Sequence, residues 1–122
     1  MKNEIKENPK NQKVAIIRCE ITSETCPGSG CLGSFQEKKK KFKDYHEETK
    51  LVGFFTCGGC PGRRISRLIK KLEKSDKKPD FVHLSSCMFY DEEQEYVECP
   101  HLDSIKEVIK SKGIGVREGT HH

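Results

Sequence analysis

The sequence lacks any hydrophobic stretch of membrane-spanning length, and no apolar signal-peptide core precedes its cysteines. It also lacks a strong charge excess, because 23 Lys and Arg residues stand against 19 Asp and Glu residues, which leaves a net charge of +4. This near balance of positive and negative side chains favours neither a nucleic-acid partner nor a membrane. Together these absences predict a cytoplasmic protein whose thiols stay reduced.

Cysteine, by contrast, is abundant: seven occur among 122 residues, an odd and high number. In a reducing compartment, clustered cysteines more often bind metals or carry redox chemistry than form a disulfide framework. The length fits a single domain. We place this domain at residues 13–122, after an almost wholly polar N-terminal tail at residues 1–12 that is expected to be disordered.

The segment Thr56–Gly62 contains a Cys-Gly-Gly-Cys motif and is the most informative stretch of the chain. It follows an apolar run that predicts a buried strand and precedes an amphipathic pattern that predicts a helix. The glycines permit positive φ in this turn, and Pro61 suits the first helical turn. Amides at a helix N-terminus favour thiolates, the form in which Cys57 and Cys60 would bind a metal or attack a disulfide. The spacing alone does not separate these two uses.

Hydrophobic periodicity predicts four strands that alternate with three helices. The predicted strands cover residues 13–18, 51–55, 81–86 and 114–118. The predicted helices are one with Leu32, Phe35, Phe42 and Tyr45 on one face, one over residues 63–74, and one with Leu102, Ile105, Val108 and Ile109. This alternation predicts a single three-layer α/β domain, Rossmann-like or flavodoxin-like, with a four-stranded parallel sheet. We favour the strand order 2-1-3-4.

In such a sheet, ligands bind at the carboxyl ends of the strands, and the cysteines and histidines that follow the predicted strands fall there. Soft ligands that converge at one edge fit zinc, which takes tetrahedral Cys and His sites. The predicted zinc ligands are Cys57, Cys60 and Cys87 with Cys19, and His121 competes with Cys19 for its place. Iron or an iron–sulfur cluster stays open as an alternative cofactor.

Further cysteines and histidines flank these positions and would complete a second site or act as outer or redox partners. They are Cys26, Cys31, Cys99, His101 and His122. Taken singly, Cys19, Cys26 and Cys31 are more often small buried hydrophobes than ligands. His83 lies inside a predicted strand, so we interpret it as a hydrogen-bonded core residue.

Several short motifs occur together with the turn motif. They are Ile17-Arg18-Cys19, Cys26-Pro27-Gly28, Val52-Gly53-Phe54, Ser86-Cys87, Cys99-Pro100-His101 and Gly119-Thr120-His121-His122. With this combination of motifs, the chain resembles the CGGC domain family. The members of this family are small prokaryotic proteins described as metal-binding. The resemblance covers nearly all of the chain after residue 12 and implies that the terminal histidines are native. It does not supply an assigned reaction.

The residues leave functions of different classes open. The first is a zinc-binding domain, structural or catalytic, and a catalytic zinc would keep one coordination position open. The second is a thiol–disulfide oxidoreductase or a redox sensor, with Cys57 as attacking thiolate and Cys60 as resolving thiol. Four strands separated by helices do not match a thioredoxin-like fold, and Pro61 follows the second cysteine instead of lying between the pair.

A third function is an interaction module built on the basic helix after the turn. This helix carries Arg63, Arg64, Arg67, Lys70, Lys71 and Lys74. The arginines lie beside the turn in sequence, so they could instead neutralise bound thiolates or hold an anionic substrate. The expected partners are therefore a metal ion and an unassigned small molecule or protein, whereas nucleic acid is not favoured.

Overall fold

A computed structural model describes residues 12–20, 26–58, 62–85 and 101–120 of the chain. The strands in these residues are β1 (Lys13–Arg18), β2 (Lys50–Thr56), β3 (Phe81–Leu84) and β4 (Gly115–Glu118). The helices are α1 (Ser29–Glu37), a short 3₁₀ helix (Lys40–Phe42), α2 (Arg63–Lys74) and α3 (Leu102–Ser111). All strand pairs are parallel and the order is β2-β1-β3-β4. The predicted α/β class, parallel sheet and strand order are confirmed.

The element bounds differ little from those predicted. The range of α2 agrees, β2 is one residue longer at each end, β4 begins one residue later, and β3 ends at Leu84. The predicted tail lies outside the described residues except for Gln12, whose carbonyl accepts a hydrogen bond from the Lys50 N–H at 3.0 Å. The domain bounds stay a prediction. No helix in the described ranges combines the length and the hydropathy that crossing a bilayer requires.

The central strand β1 divides the core into two clusters because its alternate side chains enter opposite layers. Its four apolar residues are fully buried, as expected for a parallel strand covered on both faces. One cluster, called here the aromatic face, consists of Val14, Ile16, Cys31, Phe35, Phe42 and Tyr45. The other, called the aliphatic face, consists of Ala15, Ile17, Cys57, Ile65, Ile69, Val82, Leu84, Leu102, Ile105, Ile109 and Ile114. Helices thus cover both sides of the sheet.

The prediction of one helix carrying Leu32 through Tyr45 on a single face is wrong. α1 ends at Glu37, and Lys38 adopts a left-handed conformation with φ +54°. The N–H of Lys38 bonds to the Phe35 carbonyl at 3.1 Å and that of Lys39 to the Ser34 carbonyl at 2.9 Å. These two bonds form a Schellman motif, a helix stop that glycine normally announces in a sequence. A lysine at this position gave no such signal.

Asp80 fastens the edge of the sheet at which the strands begin. Its carboxylate accepts a hydrogen bond from the Lys13 N–H at 2.8 Å, and its own N–H donates to the Lys13 carbonyl at 2.7 Å. Its carbonyl accepts from the Gly115 N–H at 3.1 Å. One residue before β3 therefore holds the starts of β1 and β4 in register.

Candidate functional site

The carboxyl ends of the four strands form one continuous edge. The ladder pairs Arg18 with Thr56, and the next bond along it joins the Cys57 N–H to the Arg18 carbonyl at 3.1 Å. On the other side of β1, the Ser85 N–H donates to the Ile17 carbonyl at 2.9 Å. The Gly119 N–H donates to the Leu84 carbonyl at 2.7 Å and completes the edge. Residues that follow different strands are thus held at the same level.

Cys19 and Cys57 follow β1 and β2 on adjacent positions of this edge. Cys57 is 4% exposed and belongs to the aliphatic face, and Cys19 is half-buried and packs against the same cluster. The structure therefore brings two of the predicted ligands into one apolar environment. Thiolates buried there would need a cationic partner to offset their desolvation.

The remaining predicted ligands lie outside the described residues. They are Cys60, Cys87 and His121, and the same holds for the flanking residues Cys99 and His122. Within residues 12–20, 26–58, 62–85 and 101–120, no group of three or more His, Cys, Asp or Glu side chains is placed to hold a metal ion. The full ligand set consequently stays a prediction.

Cys31 lies on the opposite side of the sheet from Cys57. It is 3% exposed within the aromatic face, and its Sγ lies 3.2 Å from the Thr120 hydroxyl oxygen, which is also buried. This contact ties the first turn of α1 to the residue that precedes His121. Cys31 thus packs as a buried residue and fixes the path of the chain after β4.

A buried arginine holds the loop that contains Cys26. Arg18 is 8% exposed, its guanidinium donates to the Cys26 carbonyl, and its Cζ lies 5.3 Å from the centroid of the Phe54 ring. Gly28 makes this packing possible, because a Cβ there would lie 2.8 Å from the Phe54 ring. Sequence reasoning missed Arg18, since a charged residue at a strand end normally indicates a solvent-exposed position.

His83 is a hydrogen-bonded core residue, as predicted. It is fully buried, its Nδ1 lies 2.9 Å from the Gly119 carbonyl and its Nε2 lies 2.8 Å from the Tyr45 hydroxyl. Since a carbonyl only accepts, Nδ1 carries the proton and Nε2 accepts from the hydroxyl. Burial lowers the pKa of His83 to about 4 and raises the pKa of Tyr45 to about 12. Both ring nitrogens are thereby committed to the fold.

A polar cluster joins the start of α2 to the ends of β1 and β2. The Thr56 hydroxyl donates to the Glu20 carboxylate, and Arg64 Nη1 lies 3.5 Å from Glu20 Oε1 and 3.3 Å from Thr56 Oγ1. Gly58 has φ +71°, and a Cβ at this position would collide with the Arg64 side chain. Gly58 is therefore required both for its backbone conformation and for the seating of Arg64. Sequence reasoning did not identify this cluster.

The helix after the turn begins at the predicted residue. α2 starts at Arg63 with Gly62 as its N-cap residue, and Pro61, predicted to suit the first helical turn, lies outside the described residues. Gly62 has φ +140°, and a Cβ there would lie 2.7 Å from Val108 of α3. Only glycine at position 62 permits this close approach of α2 to α3, and the approach fixes where α2 starts.

His101 occupies the N-cap position of α3, where its carbonyl accepts a hydrogen bond from the Ile105 N–H at 2.9 Å. The side chain is half-buried and makes no capping hydrogen bond. Its predicted role beside Cys99 lies partly outside the described residues and stays a prediction.

Comparison with known proteins agrees with the motifs. The CGGC domain matches residues 13–121. An uncharacterized protein of Methanocaldococcus jannaschii is 36% identical over 115 residues, a match that spans 89% of this chain and 86% of that protein. No solved structure matches the chain significantly. The protein therefore belongs to the CGGC domain family.

Proposed function

We propose that this protein is a metal-binding domain that holds zinc at the carboxyl edge of its sheet. The ligands are the thiolates of Cys57, Cys60 and Cys87, and either Cys19 or His121 provides the fourth. The observation that carries the proposal is the placement of Cys19 and Cys57 at adjacent strand ends, within one apolar cluster.

The chemistry of the donors fits this metal. Zinc prefers thiolate and imidazole ligands in tetrahedral sites, and binding requires that the thiols lose their protons. Two thiols beside one aliphatic cluster supply part of such a site. The surrounding apolar residues Leu84 and Ile65 would exclude water and strengthen the attraction between the thiolates and the cation.

The described chain also supports His121 as a candidate ligand. Gly119 is bonded to both Leu84 and His83, and Thr120 contacts Cys31, so the chain is held at the carboxyl edge up to one residue before His121. His121 follows this anchored residue directly, and we therefore keep it beside Cys19 as the alternative fourth ligand.

A redox use of Cys57 and Cys60 is the alternative, and iron or an iron–sulfur cluster is another. Attack on a disulfide requires an accessible thiolate. At 4% exposure, Cys57 suits a buried metal ligand better than an attacking nucleophile. Both the metal and the redox function belong in the cytoplasm, where thiols remain reduced.

The test is elemental analysis of untagged protein, purified without oxygen or chelator, for the natural sequence and for Cys57→Ser. We expect about one zinc per chain in the natural protein and its loss in Cys57→Ser, because one of four ligands is removed. Cys26→Ser is the matched control and is expected to retain zinc, since the described role of Cys26 lies in its carbonyl.

Other results would redirect the assignment. Full metal content in Cys57→Ser would rule out the proposed ligand set. Iron with sulfide would indicate a cluster. Absence of metal, together with a reversible disulfide between Cys57 and Cys60, would make the oxidoreductase the better assignment.

A further inference from the structure

The outer surface of α2 is the most strongly charged part of the described chain. Its twelve residues carry six cations and one acid, Glu73, which pairs with Lys78 at 3.9 Å. All six cations are exposed, and they extend along about 16 Å of helix. They are Arg63, Arg64, Arg67, Lys70, Lys71 and Lys74.

Arg64 is engaged by Glu20, but the other five cations are not neutralised in the described structure. Within residues 12–20, 26–58, 62–85 and 101–120, no carboxylate forms an ion pair with any of the five. Many of them lie three or four residues apart, as Arg63, Arg67, Lys70 and Lys74 do, and like charges at these spacings repel one another. The surface thus concentrates positive charge at a cost to the helix.

The cations at the start of α2 also oppose the helix dipole, whereas Lys71 and Lys74 in its last turn agree with it. Arg63 and Arg64 occupy the first turn, which contains no acidic residue. The N-terminus of a helix carries partial positive charge and stabilises anions, so cations placed there are unfavourable unless an anion joins them. The local electrostatics therefore favour a bound negative group at this end of α2.

Two clefts give such a ligand a place to bind. The first, of about 500 Å³, is lined by Gly58, Arg63, Arg64, Arg67 and Leu68. The second, of about 300 Å³, is lined by Arg67, Lys70, Lys71 and Lys74. Both are lined by Arg67, so the two clefts adjoin, and together they are called here the α2 groove. Its first part begins at Gly58, the residue after Cys57.

We propose that the α2 groove binds a small ligand that carries at least two closely spaced phosphate or carboxylate groups. Arginine forks bind both kinds of oxyanion in a bidentate manner, which a lysine does not do. The first cleft contains three arginines and would hold the more specific end of the ligand. The second contains mainly lysines and would attract the rest by charge.

A small ligand fits better than a nucleic acid. The positive charge of the α2 groove comes from a single helix, and the chain as a whole carries a net charge of only +4. Among the described residues that line the two clefts, none has an aromatic side chain on which bases would stack. Binding here does not require the metal, because the residues of the groove are not among its proposed ligands.

The experiment is titration calorimetry of the full-length protein, as purified, with inorganic pyrophosphate and with citrate at low ionic strength. The decisive variant is Arg63→Gln/Arg67→Gln, which removes two charges from the first cleft. The matched control is Lys43→Gln/Lys110→Gln, which removes the same charge from exposed positions outside α2. Circular dichroism and metal content are recorded for every sample.

We expect saturable binding of pyrophosphate, citrate or both, and identification of the better ligand separates an oligophosphate from a polycarboxylate. The arginine variant should weaken binding by roughly tenfold or more, since charge-assisted hydrogen bonds are lost, while the lysine control changes it little. Equal weakening in both double variants would overturn the proposal, because net charge alone would then explain it. No saturable binding of either anion by the natural protein would do the same.

A nucleic-acid probe completes the test. A single-stranded 12-mer that binds at least tenfold more tightly than both small anions, and that the arginine variant releases, would overturn the proposal in favour of a nucleic-acid surface. Weaker or equal binding of the 12-mer would support a small ligand. Unchanged zinc content in the arginine variant would show that loss of anion binding does not reflect loss of the metal site.

Discussion

The two faces of the sheet are built from different chemistry. The aromatic face packs Phe35, Phe42 and Tyr45 around His83, with the Phe42 and His83 ring centroids 4.3 Å apart. The polar side chains there are hydrogen-bonded: the Tyr45 hydroxyl bonds to His83, and His83 also bonds to the Gly119 carbonyl. The aliphatic face is made mainly of branched side chains, and it also contains the predicted metal ligand Cys57.

On the proposed function, this difference would assign stability mainly to one face and metal binding to the other. Aromatic rings and a satisfied hydrogen-bond network specify one arrangement of α1 and the strands. The aliphatic face instead packs against α2 and α3, and α2 carries the basic groove on its outer surface. Substitutions on the two faces should therefore have similar costs to folding but different effects on binding.

The largest expected effect tests that separation directly. Ile16 and Ile17 are neighbours in β1, both fully buried, and they enter opposite faces. Ile16→Ala and Ile17→Ala should each lower the free energy of unfolding by about 2–5 kcal/mol, measured by urea denaturation. Ile17→Ala alone should also weaken zinc binding several-fold, because Ile17 shares the cluster of Cys57. Equal loss of zinc affinity in both variants would show that the faces are not independent.

The second prediction concerns the pH dependence that the aromatic face contributes. The pKa of His83 is about 4 in the folded protein, below the ordinary value of 6.5. The unfolded chain therefore binds a proton more readily. The contribution of His83 to the free energy of unfolding is therefore complete above pH 6.5. It declines by on the order of 3 kcal/mol as the pH falls toward 4.

Urea unfolding of the natural protein and of His83→Gln, at several pH values between 7.5 and 4.5, measures this contribution. The difference in slope between the two proteins isolates His83 from the carboxylates, which titrate in both. We expect a shallower loss of stability in His83→Gln over this window. Parallel curves would contradict the buried neutral imidazole.

The smallest expected effect compares two glycines. Gly58→Ala should destabilise by about 1–2 kcal/mol, because φ is +71° and the new Cβ would displace Arg64. Gly33 lies within α1, where an added Cβ would meet no atom within 4 Å. Gly33→Ala should therefore stabilise by roughly 0.5–1 kcal/mol. Thermal unfolding of both variants checks the opposite signs, and destabilisation by Gly33→Ala would contradict the open site.

Much of the fold followed from local patterns in the sequence. The unbroken apolar run of β1 predicted a central strand, and the i, i+3, i+4, i+7 spacing from Ile65 to Leu72 predicted α2. Both are confirmed. The end of α1 was missed because Lys38 terminates the helix through backbone geometry, without the glycine that usually marks such a stop.

The candidate site was predictable only at the level of topology. Parallel strands placed Cys19 and Cys57 at one edge, which the structure confirms. The contact between Cys31 and Thr120, the seating of Arg18 against Phe54, and the Arg64 cluster join residues far apart in sequence. Such contacts depend on how loops pack after the sheet forms, and no local spacing encodes them.

Asp80 lies at the edge where the strands begin, opposite the proposed metal site, and its bonds bear on how the protein would acquire the metal. Its three hydrogen bonds fasten the strand starts far from the cysteines and involve no proposed ligand. These bonds would therefore hold the strand starts in alignment whether or not a cation is bound at the other end. On the proposed function, the metal would then be loaded into and released from a protein whose strand starts are already joined.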